Sequence, residues 1–338
     1  MKHKTAFITG ISGMVGSYLA EYLFNNTKLN IIGMVRPRSV LNNISSLTKY
    51  INQKKRIRLV YADLKDGVSI NKVIKENKAD YIFHLAAQTD PKISFSSPLE
   101  TVDVNVNGTI RLLEAIKQYS KKSLVHVCSS SEVYGKVSKQ KIPIDENCNF
   151  HPASPYAISK VGTDLVAKHF ADAYNMNIMV TRMFTHTGPR RTDIFAESSF
   201  AKQIAMIEKK LIPPIVYHGN LDSLRTIADV RDAVKAYYML LTKNPKKGEA
   251  YNIGGRYSCK VGDILNYLIS ISNVKNIKKK LDKNRLRPLD ADLQIPNTKK
   301  FCRHTKWKPM FKYAITMKDL LNYWRREIEK NPNNYIIR

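Results

Sequence analysis

The stretch Thr5-Ala6-Phe7-Ile8-Thr9-Gly10-Ile11-Ser12-Gly13-Met14-Val15-Gly16 decides the fold. Its first five residues form a continuous apolar and β-branched run, the pattern of a strand buried on both faces. Glycines at 10, 13 and 16 follow at once, and a helical pattern occupies residues 17–24. A strand, a glycine turn and a helix in that order bring backbone amides to a helix N-terminus, where a pyrophosphate is stabilised. The spacing is G-x-x-G-x-x-G. Taken alone it fits a tight turn without a ligand as well as a cradle formed by Gly10, Gly13, Met14, Val15 and Gly16.

Working outward, apolar runs at 29–35, 57–62, 81–85, 124–128 and 177–182 read as further strands. Helical stretches lie near 73–77, 104–119 and 154–174. Strands alternating with helices predict an α/β protein with a Rossmann-type doubly wound parallel sheet. From about Thr185 the pattern becomes irregular, with prolines at 189, 213, 214, 288, 296 and 309. A smaller, loop-rich C-terminal α/β substrate domain is expected there. The division falls at 1–184 and 185–338, and the chain is free to cross back. There is no internal repeat and no low-complexity linker.

The chain has 338 residues, 43% of them hydrophobic, as in an ordinary globular protein. Lys and Arg number 56 against 28 Asp and Glu, a net charge of +28. The lysines are dispersed among Asn and Ile, and the densest cluster, 275–283, has no interleaved aromatics. That cluster reads as a solvated loop or helix face, so no nucleic-acid partner is expected. A cationic surface still attracts anionic nucleotides. Cys128, Cys148, Cys259 and Cys302 lack a paired metal-ligand spacing and read as reduced thiols, with no metal site. No apolar run has the length to cross a bilayer, so no membrane insertion is expected. Met1-Lys2-His3-Lys4 and a short apolar stretch do not make a secretory signal, so a cytoplasmic location is expected.

The chemistry concentrates in Cys128-Ser129-Ser130-Ser131-Glu132-Val133-Tyr134-Gly135 and Tyr156-Ala157-Ile158-Ser159-Lys160. Ser130, Ser131 and Glu132 belong at the carboxyl end of a strand. Tyr156 and Lys160 lie one helical turn apart on one face. An ammonium near a phenol is expected to lower its pKa, so that Tyr156 takes a proton from a sugar hydroxyl while a hydride leaves the same carbon. Glu132 is a second base, which points to more than one proton transfer. With this pair downstream, the glycine turn reads as a cofactor site. The second strand ends Arg36-Pro37-Arg38, without the acid that binds a ribose 2′-hydroxyl. Arg36 suits a 2′-phosphate instead, so the expected cofactor is NADP(H). Asp63-Leu64 is placed at the adenine edge, and Leu85-Ala86-Ala87-Gln88 leaves room for the cofactor to pass.

Together with Asn105-Val106-Asn107-Gly108-Thr109, these motifs resemble the extended short-chain dehydrogenase/reductase superfamily, whose markers cover the first half. In the second half, Phe184-Thr185-His186-Thr187-Gly188-Pro189-Arg190-Arg191, Arg225 with Asp229-Val230-Arg231-Asp232, and Arg287-Pro288 look like the GDP-mannose 4,6-dehydratase group. So do Lys306-Trp307-Lys308-Pro309 and Asp319-Leu320-Leu321-Asn322-Tyr323-Trp324. Within that group the chain resembles the bacterial branch acting on GDP-mannose or GDP-manno-heptose. Two departures are visible: Ser130 stands where the group commonly has threonine, and Thr185 where it commonly has asparagine.

The resemblance implies that Tyr156 deprotonates the C4 hydroxyl, Lys160 supports the nicotinamide ribose and Ser130 bonds the C4 oxygen. Glu132 would remove the C5 proton before water leaves C6, giving a 4-keto-6-deoxy sugar. Ser131, Thr185 and His186 fall beside the substrate, His186 as a packed or hydrogen-bonded residue. Arg191, Arg225 and Arg287 are candidates for the nucleotide diphosphate. A GDP-4-keto-6-deoxy-sugar reductase, a C4 oxidase, a 4-epimerase and a non-catalytic NADP(H) sensor stand as competing readings. The intact Ser130, Glu132, Tyr156 and Lys160 set argues against the sensor. A homodimer or homotetramer is also implied, with helices near 98–118 and 154–174 at an interface and 36–43 near a neighbouring subunit's cofactor.

Overall fold

The run Thr5–Thr9 is strand β1, with Ala6, Phe7, Ile8 and Thr9 fully buried. The computed structural model describes residues 3–53, 55–330 and 332. Helix α1 (Met14–Asn26) leads to β2 (Asn30–Val35), a short α2 (Thr48–Asn52), β3 (Ile57–Tyr61), α3 (Gly67–Glu76) and β4 (Tyr81–His84). Short helices α4 (Pro91–Ser96) and α5 (Pro98–Val102) and a π-helical turn at Asp103–Asn107 precede α6 (Gly108–Tyr119). Then come β5 (Leu124–Cys128), α7 (Pro155–Ala173) and β6 (Ile178–Met183).

The second half holds β7 (His186–Thr187), α8 (Ala196–Glu208), β8 (Ile215–His218), β9 (Leu224–Asp229) and α9 (Val230–Thr242). It continues through β10 (Ala250–Ile253), β11 (Tyr257–Lys260), α10 (Val261–Ser270), β12 (Lys278–Leu281) and β13 (Leu293–Gln294). Helices α11 (Lys299–Thr305) and α12 (Tyr313–Lys330) end the described chain. The expected irregular, loop-rich second half is therefore corrected to one rich in helices. In α9, buried Val230, Ala233, Val234, Tyr237 and Leu241 recur at helical spacing, but a prolonged apolar run never forms.

The main sheet has the order β10-β6-β5-β4-β1-β2-β3, with every pairing parallel. Strand order reverses between β1 and β4, which opens a crevice at the carboxyl ends, where such sheets bind ligands. The alternation of side chains divides the core. Ile8 joins Leu19, Leu23, Val234 and Leu240 on the side of α1 and α9. Phe7 joins Ile82, Leu112, Ile116 and Val125 on the side of α3 and α6. Each such burial stabilises by about 1.5–3 kcal/mol before entropic costs. A separate core of Phe200, Ile204, Leu265, Leu268, Met317 and Leu321 joins α8, α10 and α12. Beside it β9 pairs with β7, β11 and β13.

The lysine cluster 275–283 corrects a second expectation. Its centre is β12, paired in parallel with β8, and all four strand residues are exposed. The ladder is made by backbone groups, with Lys278 N donating to Pro214 O at 2.9 Å, so the strand forms without an apolar face.

Candidate active site

One cavity of about 1180 Å³ runs from the glycine turn to the crevice between the main sheet and the second-half core. Gly10, Gly13, Met14, Val15, Gly16, Arg36, Asp63, Leu64, Leu85, Ala86, Ala87 and Gln88 line one end. Ser130, Ser131, Glu132, Tyr156 and Lys160 lie in the middle, and Thr185, His186, Arg191, Arg225 and Arg287 line the far wall.

At the first end the backbone is drawn close. Gly10 has φ +71°, and a Cβ there would lie 3.0 Å from the Ala86 backbone. A Cβ on Gly16 would lie 2.2 Å from Gly10 O, so neither position tolerates a side chain without movement. Gly13 caps α1, whose first turn carries no acidic residue to compete with an anion. Arg36 is exposed just beyond β2 and makes no ion pair among the described residues. Asn43 Nδ2 donates to Ser12 O at 2.9 Å, tying the segment after Arg36 to the glycine turn. Asp63 Oδ1 accepts from Lys65 N at 2.9 Å. Close glycines, a helix N-terminus and an unpaired guanidinium fit a nicotinamide dinucleotide.

A buried hydrogen-bond chain fixes the ends of β1 and β4. Leu85 N and Ala86 N each donate to Thr9 Oγ1 at 3.0 Å, so the Thr9 hydroxyl gives its own hydrogen to His84 Nδ1, also at 3.0 Å. Thr109 Oγ1 donates to Asn105 O at 2.6 Å and therefore accepts from His84 Nε2 at 3.0 Å. These directions assign the Nε2–H tautomer. Burial, then the Lys160 charge, pushes the His84 pKa down to about 3, so the ring is neutral. Asn105 also accepts from Gln88 N at 2.8 Å and donates to Gln88 O and Ser159 Oγ, both at 2.9 Å. It holds the β4 loop against α7.

β5 ends at Cys128, and Ser130 caps a single 3₁₀ turn at Ser131–Tyr134, its Oγ accepting from Glu132 N at 3.2 Å. Gly135 leaves the turn with φ +52°, where a Cβ would meet His151 O at 1.6 Å. Ser154 caps α7 and Pro155 opens it, which places Tyr156 in the first turn. The expected effect of Lys160 on Tyr156 is corrected. Lys160 Nζ donates to Cys128 O at 2.8 Å, and burial lowers the pKa of the ammonium itself. The phenol lies above its ordinary value because burial disfavours phenolate, and Cys128 and Glu132 add to the rise. The nearby Ser130 hydroxyl and the charge of Arg191 oppose it. Sharing a helix face did not make Lys160 the group that acts most on the phenol.

On the far wall Arg191 lies over the Phe195 ring, 3.3 Å from its centre, with Nε 3.5 Å from Glu197 Oε1. Burial lowers the Arg191 pKa, opposed by Glu197 and Tyr156. His186 Nδ1–H donates to Phe184 O at 3.2 Å, and burial with the nearby Arg191 charge pushes its pKa down to about 3. Thr185 O accepts from Ala228 N at 2.9 Å. Arg225 donates to Ala291 O at 2.6 Å and pairs with Asp290 at 3.3 Å, and Arg287 reaches the same carboxylate at 3.4 Å. The sequence reading missed Asp290, Glu197 and Arg285, whose Nη1 donates to Ser199 Oγ at 2.9 Å. Asp290 lies three residues beyond Arg287, a signal that was available; Glu197 and Ser199 meet their arginines only through the fold.

A family model described as GDP-mannose 4,6 dehydratase matches residues 7–320. The GDP-mannose 4,6-dehydratase of Vibrio cholerae is 34% identical over 263 residues, 76% of this chain and 69% of that protein. The GDP-mannose 4,6 dehydratase of Cricetulus griseus is 30% identical over 352 residues, 98% of this chain and 94% of its own. Among solved structures, RMD from Pseudomonas aeruginosa complexed with NADPH superposes with a TM-score of 0.81 at 26% identity, covering 96% of this chain and 99% of that one.

Proposed function

The chain belongs to the GDP-mannose 4,6 dehydratase family, and from that premise we propose that it is an NADP-dependent nucleotide-sugar 4,6-dehydratase acting on GDP-mannose or a GDP-manno-heptose. The observation that carries the reading is that Ser130, Glu132 and Tyr156 line one cavity, close enough that Ser130 and the Glu132 charge both act on the Tyr156 phenol. A nicotinamide dinucleotide held by Gly10, Gly13, Gly16 and Arg36 would supply the hydride-transfer chemistry.

The protein's own groups do the rest. Tyr156 takes the C4 hydroxyl proton, and Ser130 donates to the C4 oxygen as it becomes a carbonyl. That carbonyl acidifies C5, from which Glu132 removes the proton. The C6 hydroxyl leaves as water, protonated from Glu132 or a neighbouring hydroxyl, and a proton from solvent or from an active-site acid returns to C5 when C6 is reduced, so that the atoms balance. Arg191, Arg225 and Arg287 hold the diphosphate, and Asp290 fixes two of these guanidinia before substrate arrives. Arg36 binds the 2′-phosphate and favours NADP(H) over NAD(H).

The test is incubation with a panel of GDP-, UDP- and dTDP-sugars, followed by mass spectrometry. Loss of one water from a GDP-hexose or GDP-heptose, without net consumption of cofactor, is the expected result. Net oxidation of NADPH with no water lost would favour a reductase instead.

A further inference from the structure

We propose that Arg190 is a positioning residue that couples the adenosine end of the cofactor site to Arg191 in the substrate wall. This rests on the reading that the cavity holds a nicotinamide dinucleotide and a nucleotide sugar together. Arg190 adopts φ +71°, a left-handed conformation unusual for a side-chain-bearing residue. From there its guanidinium grips α1: Nη1 donates to Ser17 Oγ at 3.1 Å and Nη2 to Glu21 Oε1 at 2.7 Å. The guanidinium carbon also sits 4.5 Å from the centre of the Tyr18 ring. Three residues within little more than one turn of α1 are held by one side chain of the substrate wall.

The connection continues past α1. Glu21 Oε1 also accepts from Ser46 Oγ, and Ser46 lies just beyond Arg36 to Asn43, the segment next to the adenosine. Asn43 is bonded to Ser12 in the glycine turn. A contiguous path therefore runs from the 2′-phosphate segment through Ser46, Glu21 and Arg190 to Arg191, whose charge reaches the Tyr156 phenol. Glu21 and Arg190 are each about one-fifth exposed, so the pair is shielded enough to act as a strut and open enough to be remade. Cofactor that orders the Arg36 segment favours the conformation in which Arg191 faces Tyr156. By reciprocity, nucleotide at Arg191 tightens the cofactor by the same factor.

The experiment is a linkage titration of the full chain: NADPH affinity is measured by nucleotide fluorescence with and without GDP, UDP or dTDP. Whichever nucleoside diphosphate binds serves as the probe. A wild type that binds only UDP or dTDP refutes the guanine reading and leaves the coupling measurement intact. In the wild type the probe is expected to tighten NADPH about fivefold or more, the lower range of measured couplings. Arg190→Met should bring that factor to within about twofold of unity while each separate affinity shifts much less than the coupling does, and Arg190→Lys should retain part of it. Glu21→Gln, which leaves the substrate wall unaltered, should weaken coupling in the same direction and covers the case of a misfolded Arg190 variant. No coupling in the wild type, or full coupling in Glu21→Gln and Arg190→Met, would overturn the proposal.

Discussion

At the cofactor end the cavity wall is mostly backbone, with Gly10 packed onto the β4 loop and Gly13 and Gly16 packed back onto Gly10; at the substrate end it is mostly side chains, with Arg191, Arg225, Arg285 and Arg287 each held by a carboxylate or hydroxyl. The backbone wall comes from one continuous stretch of chain and the loops after neighbouring strands. The charged wall gathers residues from β7, β9 and the loop before β13. A site made of backbone is specified by what it cannot accommodate, namely a Cβ. A site made of arginines is specified by what keeps each fork aimed, and that depends on tertiary partners. Between them lie Ser130, Glu132 and Tyr156, where the two walls must agree.

The largest effects should come from this middle region. Tyr156→Phe is expected to lower turnover by about 10²–10⁴-fold while leaving nucleotide-sugar affinity within a few fold. Glu132→Gln should lower product formation over a similar range, roughly 10²–10⁴-fold, but should still allow C4 oxidation. Rapid mixing would show this as reduced-nicotinamide absorbance without release of a 6-deoxy product. Normal dehydration by Glu132→Gln would show that the elimination base lies elsewhere.

The backbone wall comes next. Gly16→Ala places a Cβ against Gly10 O and should cost about 1–3 kcal/mol, roughly five- to a hundred-and-fiftyfold in cofactor affinity. Its effect on isolated GDP should be small, which would sharpen the contrast between the two walls. An equal loss for both ligands in paired titrations would blur it. Arg36→Ser should cut the preference for NADP(H) over NAD(H) by about tenfold, the scale of one charge-assisted contact. Equal binding of both cofactors by the wild type would remove Arg36 from that role.

A separate effect concerns the stability of the whole chain rather than either wall. His84 and His126 are buried and His186 is half-buried, each with a pKa pushed down to about 3, loss of solvation being the largest cause in each case. The unfolded chain binds protons at these rings first, so their contribution is full above about pH 6.5 and is lost progressively as pH falls toward 3. By pH 5 each ring should remove about 1–2 kcal/mol of stability. Thermal melts at pH 7 and pH 5 would register it, and His126→Asn should flatten the dependence. A melting temperature independent of pH over this range would contradict the assignment of neutral rings.

In the first half the sequence-read strands agree with the structure to within a residue at each end, because parallel strands buried on both faces leave uninterrupted apolar runs. The glycine turn, Ser130, Glu132 and the Tyr156–Lys160 pair were legible for a related reason: each lies within a few residues of such a strand or helix start. Helices α8 to α12 were not, since their apolar stripes are broken by polar faces and short loops. Nor was β10, which pairs with β6 across a sequence gap that no local pattern spans. The Lys160 contact was misassigned because helical spacing fixes a face and leaves open which acceptor the ammonium will find. It found Cys128 O.

The exposed strand Lys278-Lys279-Lys280-Leu281 has a consequence for how this protein behaves in a crowded solution. It forms one border of a two-stranded sheet, with backbone groups on its outer side open to pairing. A second molecule approaching that border would lay its own lysines about 5 Å from these, strand against strand, with little room for counterions between. The positive excess that is diffuse elsewhere is concentrated here into a fence, and it discourages the chain from stacking border to border into fibres.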